Sequence, residues 1–468
     1  MKSLMSHVSL GAVALLWTLD AGAATLSVGP GKTYAKPCAA FAAAADGDTI
    51  EIDSAGSYDG DVCAIARSNL TIKGVGAGRA KIDAAGQNAQ GKGTWVVQGA
   101  NTTIENIELS GAAVPDQNGA GIRAEGSGIT IRNCLFRNNE NGILTNPMPD
   151  GEVHVEHSEF DANGQGDGCN GPGCAHNLYI NHVKRLVFEY NYSHGVLHSH
   201  TLKSRAKENV VRYNLFSTAD GSGSYEIDFP NGGLSFVIGN VIIQGANSEN
   251  PNVIGYRLEG PNADNPSDEL FVVNNTFINE KSSGTFVNVD AGVTTPAVIR
   301  NNLLQGTVTL SSQASALAEA NCTDPATFVD AAGFDFHLAA GSPCIDQGVD
   351  PGQGAGQSLS PGFHYVHPLG SEPRPSHPPF DAGAYEFGVP TTTGAGGNGA
   401  GGGAGSGGGA TTGTGGNASG AGGGDGDGAT DSGCGCSVAG EASRSAWAGF
   451  ALLGLVLVAR RRRESAAN

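Results

Sequence analysis

The chain has 468 residues, only 15% of them charged, 73 glycines and a formal net charge of −19. Lys2 and Arg460 to Arg463, less Asp20 and Glu464, contribute +3, so the chain between its two ends stands near −22. That balance excludes a broad nucleic-acid-binding face, which needs a large basic surface, but leaves room for a local basic site.

Taken in chain order, the first element is an export signal over residues 1–24. Lys2 precedes an apolar stretch from Val8 to Leu19, and small residues "AGAA" follow. Export implies an oxidising destination. Seven of the nine cysteines lie before the tail, and sequence cannot fix their connectivity. Proximity suggests Cys38–Cys63, Cys169–Cys174 and Cys322–Cys344, with Cys134 as a buried free thiol. No CxxC pair is present before the tail, which argues against zinc.

"FAAAADGDTIEID", Phe41 to Asp53, reads as a short helix and first strand capping a solenoid. Short β-type runs then recur: "TTIENIEL", "ITIRNCLF", "FVIGNVII", "FVVNNTFI" and "VIRNNLLQ". Aligning them places a polar ladder at Asn106, Asn133, His157, Asn191, Asn214, Asn240, Asn275 and Asn302, at intervals of 27, 24, 34, 23, 26, 35 and 27. Their period is two rather than 3.6, so they are strands and not helical repeats. A turn of this length cannot cover its own apolar face, so turns must stack. Leucine-rich repeats are the rival architecture, but leucine is too scarce. The fold class expected over residues 25–388 is all-β: a single-stranded right-handed parallel β-helix, a solenoid that resembles those of the pectate lyase-like proteins.

The two long intervals demand inserted loops, one at 164–182 and one at 245–268. "GSPCIDQGVDPG" and "FDAGAYEF" look like closing segments. Residues 389–433 form a glycine-rich linker too poor in apolar side chains to fold. As a coil of 43 residues between Thr391 and Gly433 it spans about 35 Å. The tail, 434–468, holds Cys434 and Cys436, an apolar helix at 446–459 and the arginine cluster 460–463. Fourteen helical residues reach about 21 Å, short of the roughly 30 Å bilayer core, unless the arginines snorkel. This arrangement resembles the MYXO-CTERM sorting tails, in which the tail is processed and the protein retained at the cell surface. An ordinary stop-transfer helix is the alternative. The tail predicts an exported protein at the outer surface, contacting the membrane there or released after processing. The chain is expected to be a monomer.

The candidate site lies in "HSHTLKSRAKENVVRYN", residues 198–214, a local concentration of bases in an acidic body. Counting one repeat in each direction from Lys203 gives a polar column. It holds His176, Asn177 and Tyr179, then His200, Lys203 and Arg205, then Tyr225, Glu226 and Asp228, then Tyr256, Arg257 and Glu259. Both long loops flank it. A structural ladder of ion pairs between coils would leave the same trace. Opposed charges mixed with His and Tyr suit β-elimination from a uronic-acid glycan: a cation to neutralise the carboxylate, a base for the C5 proton and an acid for the leaving oxygen. Lys203 is the candidate base, Arg205 or Arg257 the neutralising cation, and His200 and Tyr179 the proton donors. His176, Asn177, Tyr225, Glu226 and Asp228 are the substrate-binding candidates.

"LKSRAKENVVRYNLF…SYEIDFPNGGLSFVIGN" resembles the polysaccharide lyase group that contains alginate lyases and chondroitinase B. The resemblance implies that Lys203 and Ser204 supply the base. It also implies calcium, here at Asn177 and Asp228. The Arg-His-Gly segment of that group is missing: Asp228 stands where the arginine belongs, and His198 stands near the place of its glutamate ligands. Two alternatives remain open. One is a non-catalytic glycan-binding or structural surface protein. The other is a glycoside hydrolase using Glu226 and Asp228, which on one strand face would be about 6.6 to 6.8 Å apart, inside the inverting range of roughly 6.5–9.5 Å.

Overall fold

The computed structural model describes residues 22–165, 175–375 and 378–388. Residues 1–21, the Cys169–Cys174 loop, the glycine-rich linker and the tail lie outside these. Among the described residues no helix is long and apolar enough to cross a membrane.

Short β-branched runs alternate between core and surface. Thr71–Val75 and Ile129–Arg132 bury every second side chain, as a pleated strand with one covered face requires. Each run pairs in parallel with its equivalents one turn before and after, so Ile131 lies beside both Ile104 and Val155. The result is three parallel sheets of 12, 9 and 10 strands wound around one core. The first sheet runs from Thr25–Val28 to Leu317–Glu319, the second from Ala80–Asp83 to Leu303–Gln305, and the third from Cys63–Ile65 to Thr309–Ser311. Phe136, Phe160, Phe188 and Phe216 stack inside, with centroids 5.0, 5.9 and 5.7 Å apart.

The N-terminal cap begins earlier than expected. The helix is Pro37–Ala43, with proline in its first turn, and Thr49–Asp53 is the second strand, already paired with Thr25–Val28. Phe41 closes the end of the core against Trp95, edge to face at 5.2 Å. The Cys38–Cys63 and Cys322–Cys344 disulfides form, and Cys134 is free and buried.

The expected polar ladder divides into two columns. Asn106, Asn133 and His157 have positive φ, and register places them beside Tyr190, Tyr213, Asn274 and Asn301, which share it. Their side chains face outward at the bend between first and second sheets. The inward ladder lies one residue later. The backbone N–H and side-chain amide of Asn191 both donate to Asn214 Oδ1, and the same pair of bonds repeats through Asn240, Asn275, Asn302 and Asn321. Pairs such as Asn274–Asn275 supply both columns at once. That is why one alignment frame merged them.

The outward column anchors the returning C-terminal segment. His157 Nδ1 meets Leu369 O at 2.7 Å, Tyr213 Oη accepts from Gly362 N at 2.8 Å, and Asn301 bonds Val349 through both its amide atoms. The segment thus covers the bend between first and second sheets. The outer face of the third sheet is left for the site.

Candidate active site

The third sheet carries an outward column in strict register: Tyr179 lies beside Lys203, Lys203 beside Asp228, and Asp228 beside Gly255. On strand Leu202–Ser204, Leu202 enters the core, so alternation turns Lys203 out. Lys203 is nevertheless wholly buried, and Glu259, from the long connection after Asn252–Tyr256, sits against it. Gly255 leaves space beside Asp228: a Cβ there would lie 2.9 Å from Asp228 Oδ1.

The polar contacts converge. Lys203 Nζ donates to Glu259 Oε1 at 2.6 Å and lies 3.5 Å from Asp228 Oδ2. Arg205 Nη2 reaches Glu259 Oε2 at 2.5 Å, its Nε donates to Tyr179 Oη at 2.8 Å, and its Nη1 donates to Asn231 Oδ1. The Tyr179 ring faces both cations, 5.8 Å from Lys203 Nζ and 5.7 Å from Arg205 Cζ. One carboxylate is therefore gripped by an ammonium and a guanidinium whose own orientations are fixed by an aromatic ring and an amide.

Behind this lie two stacked histidines, His176 and His200, with centroids 5.0 Å apart. His176 Nδ1 accepts from His200 N, and His200 Nδ1 accepts from Tyr225 N, each at 3.2 Å. Those bonds place the ring proton on Nε2 in both. His200 Nε2 then points to Asp228 Oδ2, 3.5 Å away. Burial, reinforced by Lys203 and Arg205, holds both histidines neutral, far below their usual range. Burial raises Asp228 to about 6 against the opposing pull of Lys203. Burial also pushes Glu259 upward, but Lys203 and Arg205 outweigh it and hold that carboxylate below its usual range.

Of the sequence-derived candidates, the structure brings together Lys203, Arg205, Tyr179, His176, His200, Tyr225 and Asp228. It directs three others elsewhere. Asn177 points inward, where Oδ1 accepts from Asn163 and Nδ2 donates to Ser193 Oγ and His194 O. Glu226 turns into the bend toward Thr218 Oγ1 at 2.7 Å rather than standing beside Asp228. Arg257 is committed to Asp268 at 2.5 Å and Asp290 at 3.0 Å. Ser204 bonds Asn209 within the bend, at 2.6 Å, and His198 pairs with Glu249 at the surface, at 3.0 Å. Counting by repeats reaches Asp228 but puts Asn177 in the place of Tyr179 and Arg257 in the place of Gly255, two residues off at each end of the column, because loops of unequal length separate the strands.

Calcium does not fit Asn177 and Asp228. The Asn177 amide is spent in the interior, and Asp228 faces an ammonium and an imidazole N–H. Asn231, Asn262 and Asn265 escaped sequence reasoning. Asn265 Nδ2 lies within 3.5 Å of the carbonyls of Arg205, Ala206, Asn231 and Gly232. The only available signal was their place in Gly- and Pro-rich loops that lengthen a coil.

Residues 82–228 match a family model described as a right handed beta helix region. The fold is a right-handed parallel β-helix. Among solved structures it is similar to the crystal structure of pectate lyase Pel9A, with a TM-score of 0.54 and 18% identity, covering 78% of this chain and 96% of that one. No curated protein sequence is close enough to count as a relative. At that identity the likeness to the lyase concerns the β-helix alone.

Proposed function

We propose that this β-helix protein acts on a uronic-acid polysaccharide and cleaves it by β-elimination at Lys203. The observation that carries the proposal is the grip of Lys203 and Arg205 on a single carboxylate, with Tyr179 and His200 beside them. In the reaction the substrate's carboxylate takes the place of Glu259 against Arg205, which offsets the charge that develops as the C5 proton is acidified. Lys203, having released its ammonium proton to solvent, takes the C5 proton as a neutral amine and regains its charge. The C4–O4 bond breaks as the C4–C5 double bond forms, and the leaving oxygen receives a proton from Tyr179 Oη, whose anion the Arg205 Nε–H stabilises; His200, held neutral, offers a hydrogen bond from Nε2 without giving up that proton. The solved β-helix of a pectate lyase supports the class of ligand. Hydrolysis by Glu226 and Asp228 is disfavoured because their carboxyl groups do not face one cleft.

The reaction generates an unsaturated sugar that absorbs in the ultraviolet. The purified protein, offered alginate, pectate, chondroitin, hyaluronan and bacterial exopolysaccharides, should raise absorbance with at least one of them. New reducing ends without absorbance would mean hydrolysis. Binding without cleavage of any polymer would mean a glycan-binding surface protein.

The proposal extends to location: an exported protein held at the outer surface by residues 434–468. Deleting that segment should move the protein from cells to medium; equal retention of both forms would remove the tail as anchor.

A further inference from the structure

Arg205 and Lys203 hold a carboxylate that belongs to the protein itself. Glu259 stands on a short flap, residues 258–264, whose two ends are fixed independently. At one end Arg257 is locked between Asp268 and Asp290. At the other, Asn265 is tied to the carbonyls of Arg205, Ala206, Asn231 and Gly232. Between these anchors, Glu259 N donates to Pro230 O at 3.0 Å, and only a few side-chain contacts add to that bond. Glu259 reaches the two cations, Asn262 Nδ2 lies 3.2 Å from His182 Nε2, and Asn231 Nδ2 donates to Gly260 O at 3.1 Å. Gly260 has φ of +87°, and a Cβ there would meet nothing within 4 Å, so the tip is unpacked.

We infer that Glu259 is a built-in stand-in for the substrate's carboxylate, so that the flap closes the site when empty and a uronate must displace it. This rests on the uronate reading of the site. The chemistry of the seat is complete without substrate: two cations, each with further partners, converge on two oxygens of one carboxylate. Nothing else of Glu259 takes part in those bonds. With Glu259 seated on it, Lys203 is wholly buried. A tethered competitor acts at an effective concentration of about millimolar. It lowers apparent affinity by the fraction of molecules in which the seat is open. A single free sugar acid therefore competes poorly, whereas a polymer gripped at several positions displaces the flap. The device selects for chains over fragments.

The test uses D-glucuronate as probe, with glucose as the neutral control, and reads binding by calorimetry and thermal shift. Glu259→Ala should bind glucuronate at least about tenfold more tightly than wild type, a difference of about 1.4 kcal/mol, and neither protein should bind glucose. Because Glu259→Ala leaves two buried cations without their anion, its fold is checked by circular dichroism. Asn262→Ala, which loosens the flap without touching the seat, should shift affinity in the same direction. If both folded variants bind glucuronate no better than wild type, Glu259 is a structural rung and the inference falls. If Glu259→Ala fails to fold, Asn262→Ala alone decides. The readout is binding, so an absence of eliminative cleavage would overturn the proposed reaction and leave this result standing.

Discussion

Replacing Lys203 with alanine should lower the rate of eliminative cleavage by about 10²–10⁴-fold, the range for a positioned general base, with a smaller change in KM. Arg205→Lys should act differently. A lysine keeps the charge but loses the fork that reaches Glu259, Tyr179 and Asn231 together, so KM should rise and kcat should fall less than in Lys203→Ala. Both variants disturb a buried ion cluster, so melting temperature and circular dichroism must accompany the kinetics. Cleavage by a folded Lys203→Ala at the wild-type rate would reduce Lys203 to a rung in a charge ladder. Uronan binding lost in Arg205→Lys but kept in Lys203→Ala would assign recognition to the guanidinium and chemistry to the amine.

The second large effect is on stability. Glu226 is completely buried. Its Oε1 accepts from Thr218, its Oε2 has no hydrogen-bond partner among the described residues, and burial raises it to about 8 from 4.5. The sign follows from linkage. A folded-state value above the unfolded one means that the native protein holds the proton more tightly. The stability this confers is present below the unfolded value and is lost as pH rises through the folded one. Glu226→Gln should therefore match wild type near pH ~5 and exceed it by on the order of a few kcal/mol near pH ~9. Denaturant melts of both proteins across that interval check it. Asp228 and His194, raised to about 6 and about 9, tilt both proteins in the same direction, so the difference between the two melts is the quantity to read. A difference that stays constant with pH would show that Glu226 binds its proton equally well in the native and unfolded protein, so that burial does not raise it.

Stacked coils were legible in the sequence because they follow from local rules. Period-two runs rich in Val and Ile cannot bury themselves singly, and a repeat of about 25 residues gives them neighbours to stack on. The same reasoning found Lys203 and Asp228, whose coils are separated by a short, unambiguous 25 residues. It also found the Cys38–Cys63 and Cys322–Cys344 pairs, each brought together within about one turn.

What the sequence could not supply was register to a single residue and the direction of side chains at bends. Asn106 and Asn275 look alike in an alignment, yet one faces out with positive φ and the other belongs to the buried amide ladder. Asn177 and Tyr179 are two residues apart, and only the pairing of Tyr179 with Lys203 shows which faces the site. Glu226 and Asp228 share a short segment but not an environment, since the chain bends between the second and third sheets just before Ile227–Phe229. The seating of Glu259 on Lys203, 56 residues away, depends on a loop folding back over the coils before it. Composition and periodicity determined that this chain winds into a β-helix. Only the tertiary structure decided which carboxylate meets which cation, because that depends on the lengths and anchors of loops that carry no repeat.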